Sequence, residues 1–171
     1  MEILTCSFFG HRKIDIYDNL KQRVKECIEN LIENSNVQTF LFGSKSNFND
    51  LCHTVVSELK EKYPTIKRIS YTCKSEGCIL ENEREQLKKI YSRFLNVDIH
   101  LLGFEEEFEH KTKYTAGRAS YVERNQAMIN DSNFCVFYFN KDYVPSTKTK
   151  SGTKLAYEYA TKKNKKIINL F

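Results

Sequence analysis

Proline and glycine are scarce in this 171-residue sequence, at two and six residues. That scarcity leaves no material for a Pro- or Gly-rich interdomain linker, and no internal repeat or low-complexity tract interrupts the chain. Nowhere do about eighteen apolar residues run together, the length a membrane-spanning helix needs. Residues 1–9 carry an acid at the second position and too short an apolar run for a signal peptide, so a soluble, cytoplasmic chain is expected. The six cysteines, at positions 6, 27, 52, 73, 78 and 135, lack the paired spacing and nearby histidines of a zinc site. Most sit in apolar patterns, where a free thiol behaves as a small hydrophobe. No metal or cofactor is implied, and a chain of this length buries about two-thirds of its unfolded surface without a disulfide staple.

What is present is an alternation. Short runs rich in β-branched and aromatic residues, at 3–9, 39–42, 66–72, 97–102, 133–139 and 166–170, read as buried strands. Between them apolar residues recur at helical spacing. Leu20, Val24, Cys27, Ile28, Leu31 and Ile32 form one such face, Leu51, Val55, Val56 and Leu59 a second, and Leu87, Ile90, Tyr91 and Phe94 a third. Further helices are expected over 120–130 and 152–163. Six strands alternating with five helices imply right-handed crossovers and a doubly wound α/β fold, a mainly parallel sheet with helices on both faces. Ligands bind such sheets beyond the carboxyl ends of the strands, where the strand order reverses. Two connections, 104–118 and 140–150, are longer than the usual few residues, as functional lids often are.

Net charge is modest, +5 at pH 7, and lysines thicken toward the C-terminus, a bias that suits an anionic ligand as well as a solvated face. The loops after the strands carry the chemistry. Gly10-His11-Arg12 ends the first strand with a backbone free to turn, an imidazole that titrates near neutrality, and a planar fork for phosphate or carboxylate. After the second strand, Gly43 and Ser44 offer N–H and hydroxyl groups; Asn49 or Asp50 is placed to cap the next helix, and Asp50 alternatively to meet a ribose hydroxyl. Neither a Walker loop nor G-x-G-x-x-G is present. Arg124-Asn125 opens toward the crevice on the fourth helix, or else Arg124 pairs on the surface with Glu123 or Asp131. Ser151-Gly152-Thr153 begins the last helix, whose first-turn N–H groups and dipole suit a phosphate. Glu158 lies on that helix, toward the ligand or toward solvent.

Taken together, Gly10-His11-Arg12, Gly43 with Asp50 shortly after, Arg124-Asn125 with Met128, and Gly152-Thr153 with Glu158 resemble the SLOG superfamily across nearly the whole chain. That Rossmann-like group includes the DNA-processing protein A domain, the Lonely Guy cytokinin-activating enzymes, and a bacterial branch of small proteins with a Gly-His-Arg turn. The resemblance implies one SLOG-like domain over 1–171 and a pocket for a nucleotide or nucleotide derivative at the strand ends. In the Lonely Guy enzymes an arginine in Arg-Lys-x-x-Met and a glutamate after Pro-Gly-Gly-x-Gly-Thr support cleavage of a nucleoside monophosphate's N-glycosidic bond. Arg124 to Met128 is similar to the first pattern, with asparagine in place of lysine, and Gly152-Thr153 to the end of the second. The Pro-Gly-Gly portion is absent, and Glu158 stands five residues beyond the threonine, farther than in the enzymes.

Binding therefore carries over better than catalysis. The leading expectation is a sensor, carrier or sequestering protein for a nucleotide-derived small molecule, with Tyr114 or Tyr121 stacking on a base. Sister branches bind signalling nucleotides, including NAD derivatives, in bacterial defence against phages. The alternative is an N-glycosidic hydrolase using Glu158 and Arg124. Single-stranded DNA binding is weaker, since mixed-sign helices give no basic groove. Dimers are common in the superfamily, and a homodimer with a composite pocket fits it.

Overall fold

The structure is a computed structural model, and it describes residues 1–15, 18–43, 45–73, 76–95, 103–113, 117–145 and 150–171. In chain order its elements are β1 (Leu4–Gly10), α1 (Asp18–Ser35), β2 (Val37–Phe42), α2 (Asn47–Leu59), β3 (Lys67–Thr72), β4 (Ile79–Leu80), α3 (Glu81–Leu95), β5 (Gly103–Phe104), β6 (Glu106–Glu109), α4 (Arg118–Asn130), β7 (Phe134–Tyr138), α5 (Gly152–Lys162) and β8 (Lys166–Asn169). Six strands form one sheet in the order β6-β3-β2-β1-β7-β8, and every pairing in it is parallel. β4 and β5 pair separately as a two-residue parallel ribbon.

Alternation along the strands explains why both faces are covered. On one face Phe8, Phe40, Phe42 and Val136 pack with Leu20, Val24 and Ile28 of α1 and Val55 and Val56 of α2. On the other, Phe9, Leu41, Tyr71 and Phe137 pack with Met128 and Ile129 of α4 and Ala156 and Ala160 of α5. Adjacent strand residues feed opposite cores, the signature of a parallel sheet clothed on both sides. The doubly wound fold expected from the sequence is the one observed.

Two local expectations differ. β6, with the sequence Glu-Glu-Phe-Glu, lies inside the stretch read as a long loop, and all four residues are exposed. Glutamate is a poor strand former, so a strand held at the sheet edge by β3 on one side, with Phe108 as its one apolar residue, leaves no apolar pattern. The cap of α2 is Ser46, whose Oγ accepts from the Asn49 N–H at 3.1 Å; neither Asn49 nor Asp50 caps it. The strand expected over 97–102 falls outside the described residues. Among the described residues, no helix is long and apolar enough to cross a membrane.

Candidate functional site

The chain winds outward from β1 through β2 and β3 to β6, then returns to place β7 on the other side of β1. The order reverses between β1 and β7, where Gly10 pairs with Tyr138. Beyond that point lies a cavity of ≈ 420 Å³ lined by residues 9–12, 45, 118, 121, 122, 124, 125, 143 and 151–153. Thus Gly10, His11, Arg12, Arg124, Asn125, Ser151, Gly152 and Thr153, spread over most of the sequence, converge on one concavity. Lys45, Arg118 and Tyr143 join them without having been singled out as site residues.

The last helix presents its N-terminus to the cavity. Ser151 is the cap, its Oγ accepting from the Lys154 N–H at 3.1 Å, which leaves the Gly152 and Thr153 N–H groups without intrahelical partners. A Cβ on Gly152 would meet nothing within 4 Å, so the backbone there is open. Facing it are the cations Arg12, Lys45, Arg118 and Arg124, and Arg118 donates to the Lys150 carbonyl. No aspartate or glutamate is among the described lining residues.

Arg124 is 3% exposed because Ser120, Arg124 and Met128 share the sheet-facing stripe of α4 at four-residue spacing. Gly43 makes the room: a Cβ there would stand 3.3 Å from Arg124 Nε, 3.0 Å from Met128 Sδ and 2.7 Å from the Tyr71 carbonyl. Gly43 thus serves packing, and it lines a neighbouring hollow rather than this cavity. The partner of Arg124 is neither Glu123 nor Asp131 but Glu76, 3.0 and 3.2 Å from Nη1. Burial works to raise the Glu76 carboxyl's pKa, but the Cys73 N–H, Arg124 and Lys45 together hold it below the ordinary value. The Tyr121 ring lies beneath both Arg124 and Lys45, at 5.2 and 5.7 Å. Arg124 Nε and Asn125 Oδ1 are buried with no partner among the described residues.

His11 is also buried. Its Nε2 accepts from the Asn140 N–H at 3.0 Å, and the Tyr143 ring lies 4.4 Å away. Burial lowers its pKa, so near neutral pH the ring is uncharged with Nδ1 as the donor. Gly10 is required by packing, since a Cβ would come within 2.5 Å of Phe48 Cβ.

The remaining predicted residues lie elsewhere. Asp50 lines the neighbouring hollow. Glu158 is on the outer side of α5, paired with Lys150 at 2.8 Å, and is not among the lining residues. Ser44 and Tyr114 fall outside the described residues. Among the described residues no group of three or more His, Cys, Asp or Glu side chains could hold a metal ion.

With this geometry in view, the match of the YspA SLOG family (YpsA) model to residues 7–170 decides the assignment. The chain belongs to the YspA SLOG family. No curated protein matches this SLOG chain. Among solved structures it is similar to DNA processing protein A from Helicobacter pylori, with a TM-score of 0.55 and 16% identity over 96% of this chain and 63% of that one. The SLOG chain therefore spans less than two-thirds of that neighbour's length, and at this identity the likeness is one of fold. The neighbour is described for its single-stranded DNA binding mode.

Proposed function

We propose that residues 1–171 act as one domain that binds a nucleotide or nucleotide-derived anion in the cavity between β1 and β7, as a sensor, carrier or sequestering protein. One observation carries this reading: four cationic side chains and the open N-terminus of α5 converge on a ≈ 420 Å³ cavity that no described carboxylate lines. Concentrated positive charge with unpaired N–H groups is the chemistry of phosphate recognition, and the volume lies in the range of small-molecule sites. Tyr121 and Tyr143 supply rings against which a base stacks. Hydrolysis of a base-ribose bond calls for a carboxylate near the oxocarbenium centre, and the position of Glu158 on the far side of α5 favours binding over turnover.

The test uses the purified chain with nucleoside monophosphates, NAD, ADP-ribose and cyclic nucleotides, following thermal shift and base release together. The expected result is stabilisation by at least one anion, about 2.7 kcal/mol at a hundred times its dissociation constant, with no free base and with loss of the shift in Arg12→Ala and Arg118→Ala. Base release that disappears in Glu158→Gln would replace this reading with the hydrolase. If nothing on the panel shifts the melting point, the nucleotide site itself is lost.

The likeness to a protein described for single-stranded DNA binding favours a second reading, although modest net charge argues against it. Oligonucleotide affinity that falls steeply with salt, with a log–log slope of about 0.7 per phosphate neutralised, would support it over the mononucleotide site.

A further inference from the structure

A further cavity, of ≈ 350 Å³, borders the first and is lined by residues 11, 13–15, 138, 140, 143 and 171. His11 and Tyr143 line both, and their rings, 4.4 Å apart, form a wall that the two cavities share. Little packing holds the turn that carries this wall: Tyr143 is 48% exposed and Val144 84%. Its base is Asn140, whose carbonyl accepts from the Tyr143 N–H at 3.2 Å and whose Oδ1 accepts from the Asp142 N–H at 2.9 Å. Just before it, Phe139 is fixed by Asn169, which accepts from its N–H and donates to its carbonyl, each at 3.0 Å. The N–H of Asn140 itself goes to His11 Nε2 at 3.0 Å, and that bond ties the turn to the end of β1.

A neutral imidazole accepts at one nitrogen only. Here that nitrogen is spent on Asn140, so the tie exists only while Nε2 carries no proton. A proton there sets N–H against N–H. Around the ring stand Arg12, Lys13 and Asp15 from its own loop, Tyr138 from β7, Lys141, Asp142 and Tyr143 from the turn, and Lys45, Arg118 and Arg124 across the first cavity. Burial lowers the His11 pKa from its ordinary 6.5, and the cations nearby outnumber the carboxylates, so the tie holds at neutral pH and is lost in acid.

We propose that His11 is a positioning residue: by holding the Asn140 N–H it sets the Tyr143 ring as a wall of the first cavity, and proton uptake at His11 releases that wall and weakens ligand binding. The effect on affinity rests on the reading of the first cavity as an anion site; the tie itself involves no ligand. The linkage has a sign that a plain charge contact does not share. An anion touching His11 favours the proton and binds tighter in acid. A latch requires the reverse, and by reciprocity a bound ligand depresses the His11 pKa further.

Nuclear magnetic resonance of the isotope-labelled chain, titrated from about pH 8 to about pH 5, reads the tie without ligand. The Asn140 and Tyr143 amide signals move with the midpoint of the His11 ring, below 6.5. In His11→Gln, whose side-chain oxygen accepts without titrating, they no longer follow pH. ADP-ribose, whose pyrophosphate keeps its charge over this range, reads the affinity: binding weakens by about fivefold or more toward acid in the wild type and by less than about twofold in His11→Gln. Wild-type amide signals that ignore the His11 titration overturn the latch, and that result needs no variant to fold. Affinity that rises in acid overturns it as well and makes His11 a direct anion contact. Absence of ADP-ribose binding at every pH counts against the first-cavity reading, and the amide titration then decides the latch alone.

Discussion

At the residue scale, two glycines that look alike in sequence have opposite duties. Gly43 is hemmed in by the Tyr71 carbonyl at 2.7 Å and Met128 Sδ at 3.0 Å, whereas Gly152 has nothing within 4 Å. Gly43→Ala should therefore cost about 1–3 kcal/mol, as overpacking does, and urea denaturation would show it as a lower midpoint at unchanged slope. Gly152→Ala should leave the midpoint nearly unmoved yet weaken anion binding, since its methyl group stands where the ligand approaches. A Gly43→Ala protein as stable as wild type would show that α4 is not held close by that missing side chain. Arg124 was legible from its motif, but its partner was not. Glu76 lies 48 residues away, after a strand, and nothing in local spacing announces it. Because the pair is mostly buried, at 3% and 14% side-chain exposure, breaking it by Arg124→Met or Glu76→Gln should cost about 3–5 kcal/mol. The double variant should cost less than the sum of the two, a coupling that a double-mutant cycle measures directly.

At the scale of elements, apolar periodicity disclosed what is buried on both faces and nothing else. The helices α1, α2, α4 and α5 and the strands β1, β2, β3, β7 and β8 were legible because each sends apolar side chains into a core. β6 was not, because three of its four residues are glutamates on the outer edge, docked by backbone pairing to β3 and anchored nearby by Glu105 on Arg68. Capping was legible in kind but misplaced by a few residues at α2, where three polar residues, Ser46, Asn47 and Asn49, compete for one job and only backbone geometry decides. Asn47 instead ties its side chain to Ile14, accepting from its N–H at 3.0 Å and donating to its carbonyl at 2.7 Å. Ser46→Ala and Ser151→Ala should each lower stability by about 1 kcal/mol, the usual worth of an N-cap. They should differ in function: Ser151→Ala also weakens anion binding at the α5 N-terminus, and parallel thermal melts with and without ligand separate the two effects. Equal ligand shifts in both variants would remove Ser151 from the site.

At the scale of the whole molecule, alternation located the site before any side chain was placed, because a sheet that reverses between β1 and β7 leaves its crevice there. The same architecture buries two titratable groups far from that crevice, and these set the acid limit of stability. His53 is 3% exposed, its Nε2 is 2.8 Å from the Gly103 carbonyl, and burial lowers its pKa from 6.5 to about 4. Glu105 accepts from Arg68 and Lys60; burial works against its charge, but these partners prevail and bring its pKa from 4.5 to about 2. Both shifts act in one direction. The native state resists the proton on His53, so stability falls as pH drops from about 6.5 to about 4, by on the order of 3 kcal/mol for a shift of that size. It also resists the proton on Glu105, so a second loss begins near pH 4.5 and continues toward pH 2. Urea unfolding free energies measured from pH 8 to pH 3 should be level above pH 7 and then decline in these two overlapping limbs. His53→Gln keeps a donor for the Gly103 carbonyl and should flatten the upper limb alone, while Glu105→Gln should flatten the lower. A profile level down to pH 4.5 in the wild type would mean that water reaches His53 in the native state, and that the packing of α2 against β5 is looser than the hydrogen bond between them implies.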